Sequence, residues 1–221
     1  MSKLINLAIL GDRPKKLFGY DRSAYKAMTE RINEFIVKLA EANNAVIDVS
    51  VDGQQGAGQI GFWAAVKAKS KNAVDELTLY IPFTNFADKW PVEGAFGQND
   101  YHRMLHTADA YTVLSMPKGG LTISDAAELI SKTDRMMVDY ADVVLAVVGA
   151  DFDINGRSFL EEALRYAEEH GRLVLFMLAT DKSGKCPIIS KDSFAYMKPS
   201  ELKMPEPAFA GHWLLDDDGY L

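Results

Sequence analysis

The sequence predicts an α/β protein built on one doubly wound, mainly parallel sheet of about six strands, with a C-terminal extension. Three observations carry this expectation. Short apolar runs rich in β-branched residues alternate with segments of helical period, as strands joined by helical crossovers do. A strand that ends in a glycine loop and leads into a helix occurs after Leu10 and again after Val51. DVVLAVV at 142–148 is almost continuously apolar, as a strand covered on both faces must be.

In chain order, residues 4–10 form the first strand, which stops at Gly11. Residues 23–42 place Met28, Ile32, Phe35, Ile36 and Leu39 on one side at helical spacing, with Asp21 or Ser23 placed to cap the start. AVIDVSV at 45–51 is the second strand, GQQGAGQIG follows, and 62–69 reads as a helix. Residues 77–81 give a third strand, bounded by Pro82. Residues 83–100 have no clean period, and connections of that length are more often functional than idle. A short helix is expected over 101–108 and a fourth strand over 110–116. The next helix starts near Thr122 or Ser124 and carries Leu129, Ile130, Met136 and Met137. The strand at 142–148 leads through 149–157 to a helix over 158–170, with Phe159, Ala163, Leu164 and Ala167 inward; 173–178 is the sixth strand.

From Ala179 onward the character changes. Pro187, Pro199, Pro205 and Pro207 interrupt any long element, while Trp213, Leu214 and Leu215 gain from burial. Residues 1–179 therefore read as the domain, and 180–221 as an extension packed on it or on a partner subunit, which would make the protein a homo-oligomer.

A chain of 221 residues can bury one sizeable core and is short for two domains. The net charge of -7 argues against general nucleic-acid binding, which needs a large positive surface, but leaves room for a small basic pocket. Cys186 is the single cysteine, so one chain can build neither a disulfide scaffold nor a thiolate metal cluster. His102 and His106 share a helical face without further ligands, and neither a metal nor a cofactor is expected. Ser115 and Ser124 stand outside any GxSxG elbow. No leader pattern or long apolar run is visible, so the expectation is a cytoplasmic protein without membrane contact.

Gly11, Asp12, Arg13, Pro14, Lys15 and Lys16 follow the first strand, where open α/β sheets hold ligands. Gly11 lets backbone amides approach an anion, and Arg13 can clamp two oxygens at once, unless it only pairs with Asp21 or Asp12. Gly53, Gly56 and Gly58 can form a second anion nest or a plain turn. Gln54, Gln55 and Gln59 suit a base or sugar hydroxyl, and suit solvent equally. Trp90 and Phe86 can stack on a base or pack the long loop down. Arg135 and Asp139, four apart, share a helix face either as an ion pair or as a ligand-binding arginine with its orienter.

GDRPKKLFGY at 11–20, KWP at 89–91, the pair Ala108-Asp109 before a strand, and RMMVDYAD at 135–142 together resemble the SLOG superfamily. The likeness covers most of residues 4–178 and points to the DUF1273 branch, which includes prophage-derived proteins. The resemblance implies a Rossmann-like fold that binds a nucleotide or nucleotide-derived molecule at the loops 11–16, 53–59 and 149–158, the last contributing Gly149, Gly156 and Ser158. Cytokinin-activating relatives hydrolyse the N-glycosidic bond of a nucleoside monophosphate. The stretch 149–167 is also similar to nucleoside deoxyribosyltransferases, and Glu161 stands at the position of their attacking glutamate.

Cleavage of that bond develops positive charge at the sugar carbon, which one carboxylate can stabilise while a second acid protonates the leaving base. Glu161 with Asp109, Asp142 or Asp151 would supply such a set, although Ser158-x-x-Glu161 is also a ready helix-capping box. The sequence departs from the family pattern at four places: Asp12 replaces a usual histidine, Gly58 an aspartate, and Gly156-Arg157-Ser158 a glycine-threonine pair, while the cytokinin enzymes' proline-glycine-glycine has only a loose echo in Pro117-Lys118-Gly119-Gly120, without the glutamate that follows it. Three functions follow as expectations. They are a nucleotide-type binder, an N-glycosidase or deoxyribosyltransferase-like enzyme, and a phage or host interaction protein with a vestigial pocket.

Overall fold

The computed structural model describes residues 3–117, 119–191 and 193. Seven strands form one Rossmann-like sheet: β1 (Lys3–Gly11), β2 (Ala45–Val51), β3 (Val74–Ile81), β4 (Ala110–Val113), β5 (Val143–Gly149), β6 (Leu173–Ala179) and β7 (Ile188–Ser190). Their order is β4-β3-β2-β1-β5-β6-β7, parallel throughout except for β7, which runs antiparallel to β6. The sheet thus has seven strands where about six were expected, the extra one being a three-residue edge strand just after Pro187, inside the segment read as extension. Trp213, Leu214 and Leu215 lie outside the described residues.

Among the described residues, five helices cover the two faces: α1 (Arg22–Asn43), α2 (Ala57–Lys69), α3 (Gln98–Thr107), α4 (Ile123–Tyr140) and α5 (Phe159–Glu169). The strands alternate between two cores. Ile5, Leu7 and Ile9 of β1 and Val143, Leu145 and Val147 of β5 pack with α1 and α2. Ala8, Leu10, Val144, Ala146 and Val148 pack on the opposite face with Met137 and Val138 of α4 and Leu164 of α5. Burial on both faces is why β5 is almost unbroken in apolar residues.

Three helix starts differ from the sequence expectation or settle it. Asp21, and not Ser23, caps α1, accepting the amides of Ser23 and Ala24 at 3.0 and 3.3 Å. α2 begins at Ala57, so Gly58 and Gly61 are helical despite their poor propensity. A Cβ on Gly61 would come within 2.8 Å of the Ile9 side chain, so close packing on β1 outweighs the helix cost. In α5, Glu161 takes an inward place, whereas Phe159, expected inside, is 44% exposed.

β1 is the turning point of the sheet. β2 lies on one side of it and β5 on the other. A crevice at the carboxyl ends of β1 and β5 follows from that reversal of strand order.

Candidate functional site

Three loops interlock at this crevice. The Asp12 amide donates to Val147 O at 2.8 Å, and the Ala57 amide donates to Asp12 O at 3.1 Å. The Asp12 carboxylate turns inward and accepts the Gly149 amide at 3.0 Å. Glycines make these approaches feasible. A Cβ on Gly11 would collide with the Val147 carbonyl, and one on Gly149 with that of Lys16. Gly56 has φ 96° and brings its α-carbon so close to the first loop that a Cβ would lie 2.5 Å from Asp12 O. Burial raises Asp12 above the ordinary carboxylate range, against the Gly149 amide and Lys16, while Glu161 and Asp151 add to the rise. Lys16 Nζ stands 3.7 Å from its carboxylate.

Arg13 is exposed and pairs with neither Asp12 nor Asp21. Its Nη2 donates to Gln54 Oε1 at 2.9 Å. Gln54 in turn donates through Nε2 and through its amide to Asp52, at 2.7 and 3.0 Å. Asp52 is buried, and burial pushes it up to about 6 against the pull of the Gln54 bonds and of Arg13. Its Oδ1 fills the space where a Cβ on Gly58 would sit. Gly53, at φ 68°, packs on Leu79. Pro14 is buried at the start of a 3-10 turn (Pro14–Lys16), and Lys15 faces solvent.

Glu161 lies under the third loop. It is 4% exposed, and its Oε1 would be 2.7 Å from a Cβ on Gly156. Its Oε2 has no hydrogen-bond partner among the described residues. The capping box expected at this helix does not form, since the Ser158 side chain makes no cap bond. A capping box instead closes α4, through Thr122 and Asp125.

The other sequence candidates lie elsewhere. Asp109 directly precedes β4 and Asp142 directly precedes β5, so both sit at the amino ends of the strands, Asp142 roughly 20 Å of strand from the crevice and Asp109 on the edge strand away from it. Asp109 accepts Lys69 Nζ and the Leu77 amide at 2.6 and 2.8 Å. Asp142 accepts both the amide and the side chain of Asn6, at 2.8 and 3.0 Å. The set Glu161, Asp109 and Asp142 is therefore not assembled in one place. Arg135 and Asp139, in the last turns of α4, do not pair with each other but meet α5. The Arg135 guanidinium lies over the Tyr166 ring at 5.6 Å, and Asp139 accepts the Tyr166 hydroxyl at 2.7 Å. Trp90 packs edge-on against Phe86 and Tyr101 at 5.2 and 5.4 Å.

Two site residues escaped the sequence reading, Asp52 and Asp134. Asp134 is 5% exposed on α4, and burial and the charge of Asp52 push it well above the ordinary range while Arg13 pulls it down. The signal was present: Asp134 falls between Ile130 and Val138 at helical spacing, a charged residue in an apolar stripe.

The model of the YpsA family, described as the YspA SLOG family, matches residues 7–182. No curated protein matches the sequence. Among solved structures, the chain is similar to the X-ray structure of DNA processing protein A from Streptococcus pneumoniae, with a TM-score of 0.47 and 16% identity. That match covers 78% of this chain and 50% of the other, so the chain spans half the length of that protein.

Proposed function

The chain belongs to the YpsA SLOG family, and from that premise we propose that it binds a nucleotide or nucleotide-derived small molecule at the carboxyl ends of its parallel strands. One observation carries this proposal: Arg13 stands exposed above three interlocked loops, held by Gln54 instead of being neutralised by a carboxylate. α2 and α5 begin at the same crevice; the Ala57 and Gln59 amides of α2 are taken by Asp12 O and Gln54 O, whereas Ser158 makes no side-chain cap on α5, which leaves that terminus open to an anionic group. Arg13 and Lys15 supply positive charge to a phosphate, and the hydroxyl of Ser158 supplies a further donor. The test is a thermal-shift screen over mono-, di-, tri- and cyclic nucleotides. At least one raises Tm in a concentration-dependent way and loses that effect with Arg13→Ala; a screen with no stabilising nucleotide sinks the proposal.

A second activity, cleavage of an N-glycosidic bond, is favoured by Glu161. A buried carboxylate oxygen without a partner is costly, and a sugar carbon gaining positive charge would use it. Asp12, whose proton affinity Glu161 raises, would serve as the neighbouring acid in place of Asp109 and Asp142. Free base appearing in the screened samples, and absent with Glu161→Gln, identifies this chemistry; stabilisation without base release excludes it for the nucleotides tried.

A further inference from the structure

An open cleft of about 350 Å³ lies at the other end of the sheet from the three loops. It sits where α5 ends and β6 and β7 run side by side, and it is lined by Glu168, Arg172, Leu173, Val174, Ser190 and Lys191. The Leu173 amide donates to Asp142 O at 3.1 Å, at the amino ends of β5 and β6. Its size falls within the roughly 300–1,000 Å³ of small-molecule sites. Ser190 and Lys191 come from beyond residue 182, where the family match stops, so the matched region alone does not make the cleft.

The chemistry of the lining points to a ligand. Arg172 uses one donor for structure: its Nη2 donates to Asp139 O at 2.8 Å and ties the end of α4 to the start of β6. Its Nε is buried and has no hydrogen-bond partner among the described residues. None of the ion pairs formed among those residues includes Arg172. Lys191, by contrast, is neutralised by Glu168. The lining therefore holds two cations and one carboxylate, and one positive charge is left over. A guanidinium partly withdrawn from water, with a donor unused and no counter-charge, is unfavourable, and an anionic acceptor relieves both defects. Leu173 and Val174 add an apolar wall, which suits a carbon skeleton better than a bare inorganic anion.

We infer that this cleft is a second binding site, which takes a carboxylate carried on a short carbon chain, the carboxylate meeting Arg172 and the carbon lying on Leu173 and Val174. Two sources supply such a group. One is a small organic acid from solution. The other is the chain's own Asp216, Asp217 and Asp218, which begin 25 residues after Lys191, a length that spans up to about 80 Å when extended. The site stands whether or not a nucleotide binds at Arg13, because the two lie at opposite ends of the strands.

Proton–nitrogen NMR of the arginine side chains in the full chain reads the site directly, with butyrate as the probe. Arg172→Lys removes one Nε signal and so identifies it. Butyrate moves that signal saturably, and still does so in Arg13→Gln, which separates this site from the crevice. Glu168→Gln tightens butyrate binding and Lys191→Gln weakens it, each by about tenfold, because the first removes a carboxylate beside the ligand and the second leaves it unneutralised. Where the chain's own aspartates fill the cleft, butyrate leaves the wild-type signal unmoved. The full-length chain carrying Asp216→Asn, Asp217→Asn and Asp218→Asn together then has a shifted Arg172 signal and responds to butyrate. Either pattern supports the site and names its source. An Arg172 signal unmoved by butyrate in both chains overturns it, since Arg172 then only ties α4 to β6. A response to inorganic phosphate as strong as that to butyrate overturns the assignment to an organic acid. A nucleotide screen without stabilisation bears on the crevice alone.

Discussion

The carboxylate of Asp52 occupies the volume in which a β-carbon on Gly58 would lie. A loop acid and a helix glycine are thus complementary in shape. The glycine serves the protein's own side chain first, and any ligand only through it.

Gly58→Ala follows directly from that fit. Alanine favours the helix by about 0.5–1 kcal/mol, but it must displace a buried carboxylate, an overpacking that costs about 1–3 kcal/mol. The net result is a lower Tm, together with loss of the Gln54 bonds that steady Arg13. Denaturant unfolding reads the stability, and an unchanged or raised midpoint contradicts the fit.

Stability should fall as pH rises. Asp52 is raised from 3.8 to about 6 by burial, so the folded chain binds its proton more tightly; the contribution is full below 3.8 and is lost as pH rises through about 6, on the order of 3 kcal/mol. Asp134 acts in the same direction. Asp134→Asn removes one of the two charges, so it raises Tm at alkaline pH and much less under mildly acid conditions. Equal effects at both would show that the pair does not titrate.

The two serine/threonine N-caps should behave differently on truncation. Thr122→Ala removes a reciprocal capping box and costs about 1 kcal/mol. Ser158→Ala removes no cap bond and stays within about 0.5 kcal/mol of wild type. Urea midpoints of both variants decide the matter, and a ligand should distinguish them in reverse, since only Ser158 faces the crevice.

Arg13 and Arg135 are both exposed arginines in family-like motifs, yet their partners set them apart. Arg13→Ala abolishes stabilisation by the nucleotide found in the screen, and lowers the unliganded Tm modestly at neutral pH, where its pull on buried Asp52 and Asp134 is lost. Arg135→Ala removes a ring contact worth about 0.5–1 kcal/mol and leaves the ligand shift intact. The opposite pattern would move the site to the α4–α5 face.

Asp109→Asn loosens the bonds to Lys69 and the Leu77 amide at the start of β4, a destabilisation of about 1–2 kcal/mol. Any base-releasing activity survives it, whereas Glu161→Gln ends that activity at little cost in stability. Loss of activity with Asp109→Asn in a fully folded protein would require a different arrangement of acids.

The strands were largely readable because covered strands must be apolar: β2 matches its expected span, 45–51, and β5 is displaced by one residue. The sequence places α2 five residues late, since Gly58 and Gly61 look like loop until their packing on Asp52 and Ile9 is known. β7 is too short to leave a period. The Arg13–Gln54 contact joins residues 41 apart and has no sequence signature. The positions of Asp109 and Asp142 were readable in principle. A residue that precedes a parallel strand lies at its amino end, on the edge opposite the loops that follow strands.

The fastening of Asp12 to Gly149 also dictates when the crevice can exist. β1 is the central strand and is made before every other strand of this sheet, but its β5 neighbour lies more than 130 residues further on, Leu7 pairing with Val143 and Gly11 with Val147. Until β5 emerges from the ribosome, β1 has one raw edge, open to mispairing with other nascent chains. Closing so long a loop is slow, so the binding loops come together late in folding. A ligand held across them would act as a clasp on the finished sheet, slowing its reopening between β1 and β5, and could not guide the early half into shape.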